Sequence, residues 1–177
     1  MGVHLQKRLI LSLALLCVLA AIAVFFSFLR FPFLGNLVSP YDSSNNPVNI
    51  VFKFGVAERN ELNTFNGTFT KDLIMDGTIT TRLILPQEEL SQIQKRLSDI
   101  GFFDFPDTFP SRGAVTPRED YYIKVQNGST VKEVTWYSDS MSDTRTENLR
   151  QLYSLLTDKI MEKIEYKLLP PAKGGYQ

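Results

Sequence analysis

An uncharged apolar run near the N-terminus constrains this chain more than any other feature. The run Leu9–Leu29 reads LILSLALLCVLAAIAVFFSFL. As a helix it would be about 31 Å long, close to the thickness of the hydrocarbon core of a bilayer. Its length therefore predicts a transmembrane helix over residues 9–29, with the lipid bilayer as the partner of that segment.

The alternatives to an uncleaved anchor are a cleaved signal peptide, a lipoprotein signal and a buried helix. Residues 21–23 satisfy the small-x-small cleavage rule, but residues 24–29 remain apolar at the point where a signal peptide turns polar. The residues before Cys17 are leucines, whereas a lipoprotein signal needs small residues there. These features and the length favour the anchor.

Basic residues on the two sides of the run predict its orientation. Lys7 and Arg8, together with the α-amino group, outweigh Arg30. The positive-inside rule therefore places a short head, residues 1–8, in the cytoplasm and everything after the helix outside it. Residues 30–47 are rich in Gly, Pro, Ser and Asn and are predicted to form a tether to a soluble domain over residues 48–170.

The rest of the composition excludes several kinds of chemistry. The 19 basic residues include three that flank the run, so the chain after residue 30 carries 16 basic and 19 acidic residues. That balance argues against a nucleic-acid partner. His4 and Cys17 are the single histidine and cysteine, so the domain lacks the base of a Ser-His-Asp or Cys-His site and the usual zinc ligands. We therefore predict no cofactor and no metal.

Alternating residues predict strands in two blocks of the domain. Residues 48–56, 65–70 and 79–85 alternate apolar and polar side chains, and a polar turn at residues 58–61 separates the first two. A second block, residues 121–137, is a hairpin with Asn127-Gly128 at its turn.

Helical periodicity predicts two helices. The first begins at Pro86, carries Leu90, Ile93 and Leu97 on one face and stops at Gly101. The second begins with a capping box at residues 144–147, or with Asp143 or Ser142 as its cap, and runs to about Tyr166, followed by a flexible tail over residues 171–177. The order βββ-α-ββ-α predicts an α+β domain of two layers, with an antiparallel sheet of four to six strands under two helices.

Candidate functional residues are carboxylates and aromatic side chains. Three pairs of acids are close in sequence: Asp104 with Asp107, Glu119 with Asp120, and Asp139 with Asp143. A glycosidase needs two acids flanking a cleft, but capping and solvated roles are the commoner ones for such residues. Trp136 and Tyr137 must face opposite sides of their strand, so one is buried and the other is exposed beside Tyr122 or Lys124.

Several segments resemble known proteins. The segments NTFNGTFTKDLI, LPQEELSQIQKRLSDIGFFDFPDTF and YYIKVQNGSTVKEVTW, with the ending KGGYQ, resemble uncharacterised membrane-linked or lipoprotein-like proteins of Bacillus-type bacteria. The resemblance implies a bacterial protein and no particular activity. The order of a sheet, a helix ending at FFDFP, a hairpin and a last helix is similar to that of emfourin, a small inhibitor of thermolysin-like proteases.

Together these features predict a single-pass membrane protein with an extracytoplasmic, non-catalytic binding or accessory domain. Its partner is expected to be an unidentified protein or another component of the cell surface. The alternatives are an enzyme that acts on the cell wall through carboxylates and, from the likeness to emfourin, a protease inhibitor. No catalytic, cofactor-binding or metal residue is assigned by the sequence.

Overall fold

The computed structural model describes residues 48–113 and 116–177. These residues form an α+β fold with a six-stranded antiparallel sheet, three α-helices and one short 3-10 helix. The strands are β1 (Asn49–Val56), β2 (Asn60–Asn63), β3 (Thr68–Asp72), β4 (Thr78–Arg82), β5 (Glu119–Asn127) and β6 (Thr130–Tyr137). The helices are α1 (Gln87–Asp99), the 3-10 helix (Phe102–Asp104), α2 (Thr144–Glu162) and α3 (Ile164–Lys167).

The sheet has the strand order β4-β3-β2-β1-β5-β6, and every neighbouring pair is antiparallel. The long central pair β1 and β5 runs from Asn49 opposite Gln126 to Val56 opposite Glu119. Alternation along β1 sends Ile50 and Phe52 into the core, where neither is exposed. The opposite face of β1 is only half-buried, so the helices cover one face of the sheet.

The core lies between that sheet face and the helices. Ile93 and Leu97 of α1, and Leu149, Leu152, Leu156 and Ile160 of α2, pack on it. Phe102, Phe105 and Phe109 are also buried, so the phenylalanine-rich stretch after α1 closes the core. Backbone hydrogen bonds between residues 107–109 and Thr135 then lay this segment along the edge strand β6.

The predicted α+β class and antiparallel sheet are confirmed, but the predicted order of three strands before the first helix is wrong. Four strands precede α1, because Asn60–Asn63 form β2, whereas the sequence predicts a turn at residues 58–61 and no strand at residues 62 and 63. The turn between β1 and β2 is at Ala57 and Glu58, so it begins one residue before the predicted turn, and both residues have a φ of 55°. Since Leu62 is the single buried residue of β2, this strand has no alternating pattern to detect.

The predicted bounds of the other strands are also corrected. The second predicted strand began at Phe65, whereas β3 begins at Thr68 after a turn. The third was extended to Leu85, whereas β4 ends at Arg82. Leu83 and Leu85 are nevertheless buried, because the connection to α1 passes over the core.

The start of the predicted second helix is confirmed in one of its alternative forms: Asp143 is the N-cap, and the capping box joins Asp143 to Thr146 rather than Thr144 to Glu147. The helix does not continue to Tyr166: it ends at Glu162, and Lys163 has an extended backbone before α3 begins. Lys163 forms an ion pair with Glu89 of α1 at 2.6 Å. The break turns Tyr166 onto Phe69 of the sheet, with 5.6 Å between ring centroids.

The C-terminal tail, expected to be flexible, contacts the turn between β3 and β4. The Lys173 N–H donates to the Leu73 carbonyl at 3.2 Å, and the Met75 N–H donates to the Lys173 carbonyl at 3.3 Å. Further along the tail, the Tyr176 hydroxyl donates to the carboxylate of Asp72. Gly174 has a φ of 82°, and a Cβ there would lie 2.7 Å from the sulfur of Met75. This position therefore requires glycine.

Within residues 48–113 and 116–177, no helix has the length and apolar character needed to cross a membrane. The predicted head, transmembrane helix and tether, residues 1–8, 9–29 and 30–47, lie outside the described residues.

Candidate binding pocket

A pocket opens between α2 and the ends of β5 and β6. Its volume is about 260 Å³, and its lining residues are Tyr121, Trp136, Tyr137, Ser138, Arg150, Tyr153 and Ser154. Small-molecule sites occupy roughly 300–1,000 Å³. The pocket is therefore of the size that accepts one large side chain rather than a drug-sized ligand.

Stacked and edge-on rings make the pocket rigid. Tyr121 and Trp136 lie directly opposite each other on β5 and β6, and their rings are stacked with centroids 5.2 Å apart. Tyr153 of α2 meets the Tyr121 ring edge-on at 5.2 Å and also contacts the Phe52 and Phe54 rings. Because aromatic pairs of this geometry stabilise one another, the walls are preformed.

A carboxylate fixes the hydroxyl of Tyr121 at the pocket. That hydroxyl donates to Glu119, two residues earlier on the same strand face. Burial raises the pKa of Tyr121, and the hydrogen bond to Glu119 raises it further. Burial likewise raises the pKa of Tyr153, as does the charge of Glu119. Both phenols therefore stay protonated and act as hydrogen-bonding walls, not as bases.

Two guanidinium groups give the pocket and its surroundings positive charge. Arg150 lines the pocket and lies 3.3 Å from the carboxylate of Glu147, one turn earlier on α2. Arg118 lies over the ring of Tyr137, 4.1 Å from its centroid, and is 2.7 Å from Asp120. The side chain of Asp120 raises the pKa of Arg118. Arg150 is thus the cation best placed to meet an acceptor on a bound group.

The structure confirms that Trp136 and Tyr137 face opposite sides of their strand. Trp136 faces the core and is 2% exposed, whereas Tyr137, predicted to be exposed if Trp136 is buried, is half-buried on the other face. Tyr122 is half-buried beside Lys53, whose ammonium lies 5.9 Å from the ring centroid. Lys124 forms an ion pair with Glu133 at 3.0 Å. Tyr122 and Tyr137 are therefore each already in contact with a cation, Lys53 for Tyr122 and Arg118 for Tyr137.

The six candidate carboxylates do not gather at one cleft. Asp107 pairs with Lys132 at 2.5 Å, Asp120 pairs with Arg118, and Asp139 accepts a hydrogen bond from Ser111 at 2.8 Å. Glu119 accepts from Tyr121, Asp143 caps α2 and Asp104 lies in the 3-10 helix. Each of these five paired acids therefore has a structural partner of its own in the fold.

The part of the chain that the structure describes contains no group of three or more His, Cys, Asp or Glu side chains that could hold a metal ion. The lining residues that carry side-chain oxygens are three tyrosines and two serines, and the carboxylate of Glu119 accepts a hydrogen bond from one of the tyrosines. They suit hydrogen bonding to an organic group.

The fold and the pocket together define an α+β domain with an aromatic pocket at one end of its sheet. Comparison of the sequence with models of known protein families gave no match, and comparison with curated proteins gave none either.

The sequence singles out two of the lining residues, Trp136 and Tyr137, as a strand pair, and it places Arg150 and Tyr153 in a helix without relating them to that pair. Glu119, which holds the hydroxyl of Tyr121, is singled out only as one of the candidate acids. The signal that could have found them is the spacing of Arg150, Tyr153 and Ser154, which share one stretch of α2 beside the apolar stripe.

Proposed function

We propose that this chain is a single-pass membrane protein whose residues 48–170 form an extracytoplasmic, non-catalytic module that binds a partner protein. The observation that carries the binding role is the pocket at Trp136, Tyr153 and Arg150. Tyr, Trp and Arg are the residue types that dominate the energetic centres of protein interfaces, where one partner inserts an anchor side chain into a pocket of the other. The anchor inferred from the apolar run supports the location.

The pocket indicates the chemistry of the partner's anchor. Its aromatic walls suit an apolar side chain, while Arg150 at its margin suits a neighbouring acidic group. The carboxylate of Glu119, which accepts a hydrogen bond from Tyr121, would repel an acidic group of the partner placed near it. We therefore expect a partner segment in which an apolar residue is adjacent to Asp or Glu.

The test is site-specific crosslinking in intact cells. A photoreactive side chain at Ser154, which lines the pocket, should form an adduct with one partner protein. Arg150→Glu should abolish that adduct, while Lys159→Glu, the same charge reversal further along α2, should leave it in place. An adduct of equal yield in both variants, or none in the parent, would contradict the pocket as the binding site.

The location is tested separately by protease added to spheroplasts. Digestion should remove the folded domain and leave a fragment that contains residues 1–29 in the membrane. A fully protected domain would show that the orientation is reversed.

Activity assays on the purified protein test the two other candidate functions. A carboxylate-dependent hydrolase would release products from cell-wall sugars, and an inhibitor of the emfourin type would slow a thermolysin-like protease. We expect neither activity. Product release that is lost when Asp139 or Glu119 is replaced by its amide, in a protein that remains folded, would overturn the non-catalytic proposal.

A further inference from the structure

One end of the sheet carries exposed apolar side chains around the point where the chain enters the domain. Val48 is fully buried, and β1 begins at the next residue. At the same end lie Phe65, Ile84 and Val131, which are 43%, 54% and 49% exposed. We call these three residues the apolar rim. Since the described chain starts here, every residue that precedes it, including the apolar run, is attached at this end.

The strand register ties the rim to this end of the sheet. Phe65 follows Thr64, whose N–H donates to the Ile50 carbonyl at 2.9 Å. Ile84 follows Leu83, whose N–H donates to the Gly67 carbonyl at 2.9 Å in the turn between β2 and β3.

The third rim residue, Val131, lies on β6 in the other half of the sheet. Val131 is paired with Gln126, and Gln126 is paired with Asn49 at the start of β1. The rim therefore extends across the sheet, from the connection after β4 to the first residues of β6.

The charges around the rim suit a lipid headgroup layer. One cross-strand row at this end joins Val131, Gln126 and Asn49, and another runs from Arg82 through Thr68, Asn63, Val51 and Lys124 to Glu133. Lys124 and Glu133 form an ion pair with each other at 3.0 Å, whereas Arg82 is exposed on the edge strand β4. Arg82 can reach lipid phosphates while its aliphatic stem lies on apolar surface. The acidic side chains Glu61 and Asp120 lie further along the strands.

The length of the predicted tether limits how far this end can lie from the predicted anchor. A random-coil connection as long as residues 30–47 would have a root mean square span of roughly 20–25 Å. That distance is comparable with the size of a small domain, so such a connection would let the end bearing Val48 reach the headgroup layer. Apolar and aromatic side chains favour that layer, and basic side chains add attraction to anionic lipids.

We propose that the apolar rim is a second lipid contact: Phe65, Ile84 and Val131 rest on the surface of the bilayer, and Arg82 pairs with its phosphates. This inference rests on the membrane anchor of the proposed function. It goes beyond that function because it orients the domain. The pocket, at the opposite end of β5 and β6, would then point away from the membrane and toward a partner.

The experiment uses the full chain with Cys17→Ser, reconstituted in vesicles of equimolar phosphatidylcholine and phosphatidylglycerol. A thiol-reactive fluorophore is attached at Ile84→Cys or, as the matched control, at Met141→Cys. Met141 is also an exposed apolar residue, 68% accessible, and it lies in the loop after β6, at the other end of the sheet. Phosphatidylcholine that carries a nitroxide close to its headgroup is the quencher.

We expect the fluorophore at residue 84 to be quenched at least about twofold more strongly than the one at residue 141. Adding Phe65→Glu and Val131→Glu should bring the two values together, because two carboxylates repel the anionic surface. Equal, weak quenching at both positions in protein that stays in the vesicles would overturn the rim contact alone. Protein washed from the vesicles by alkaline carbonate would overturn the anchor, and the rim contact with it.

Discussion

The cluster of Arg59, Asp72 and Tyr176 offers the sharpest test of how the C-terminal tail is held. Asp72 is 7% exposed. Its carboxylate accepts hydrogen bonds from the Tyr176 hydroxyl and from the Ile74 N–H at 2.9 Å, and it lies 3.6 Å from Arg59. The Tyr176 hydroxyl also accepts a hydrogen bond from Arg59 at 3.1 Å. The tail is thus joined to the sheet through one nearly buried carboxylate.

Tyr176→Phe removes two hydrogen bonds to charged groups, the one donated to Asp72 and the one accepted from Arg59. Each such interaction is worth about 1.5–3 kcal/mol when water is excluded. Arg59 and Tyr176 are partly exposed, so water replaces some of that loss, and we expect about 1–2 kcal/mol of destabilisation. Asp72→Asn keeps the shape but removes the charge. The double variant should therefore show a coupling free energy of about 1 kcal/mol, above the roughly 0.3–0.5 kcal/mol within which independent sites add.

The assay is urea unfolding of the full chain in nonionic detergent, followed by the fluorescence of Trp136. Trp136 is the single tryptophan and is 2% exposed, so its emission reports loss of the core. Tyr137→Phe combined with Asp72→Asn is the control, because Tyr137 lies on β6, four strands away from β3. A coupling below about 0.3 kcal/mol for Asp72 and Tyr176 would refute the idea that the tail is held through this carboxylate.

Two further predictions concern the helix ends and use the same assay. Asp143 caps α2, and the backbone N–H of Thr146 lowers the pKa of Asp143 in the folded protein below 3.8. A lowered pKa contributes stability that is complete above the pKa of the unfolded state and is lost as pH falls through the pKa of the folded state. The stability advantage of the wild type over Asp143→Asn should therefore be constant near neutral pH and should shrink below pH 3.8. An advantage that stays constant at low pH would contradict this role. Gly101 ends α1 with a φ of 65°, so Gly101→Ala should destabilise the fold by about 1 kcal/mol because L-residues are strained in that conformation. Gly175→Ala is the control and should be close to neutral, because a Cβ there meets nothing within 4 Å. Equal effects of the two substitutions would contradict the role of the Gly101 conformation.

The elements that the sequence predicted best are those whose signal is local. Helix α1 lies between Pro86 and Gly101, because proline suits a helix start and Gly101 takes the left-handed conformation that ends it. The hairpin of β5 and β6 is confirmed, but its two turn residues are Gly128 and Ser129, one position later than predicted, because Asn127 still pairs with Thr130. Gly128 has a φ of 60°, a conformation that glycine adopts without strain. Strand β2, in contrast, has a single inward residue, Leu62, and is held in place by β1 and β3 on either side.

The candidate site was less predictable than the fold because its parts come from distant segments. Tyr121 and Trp136 face each other through strand pairing, while Arg150 and Tyr153 arrive from a helix whose docking angle no local pattern encodes. The same reason applies to the end of α2. The apolar stripe continues past Glu162, but the ion pair of Lys163 with Glu89 and the packing of Tyr166 on Phe69 accompany the break.

By itself, the sequence determined the fold class, the two ends of helix α1 and the absence of histidine and cysteine from the domain, since these follow from periodicity, turn residues and composition. It also carries the predicted anchor, which is a matter of length and charge. Only the tertiary structure decided where the pocket lies, where the apolar rim lies and how Tyr176 is held. Those features are made of residues far apart in the chain, and their positions depend on how sheet and helices pack against each other.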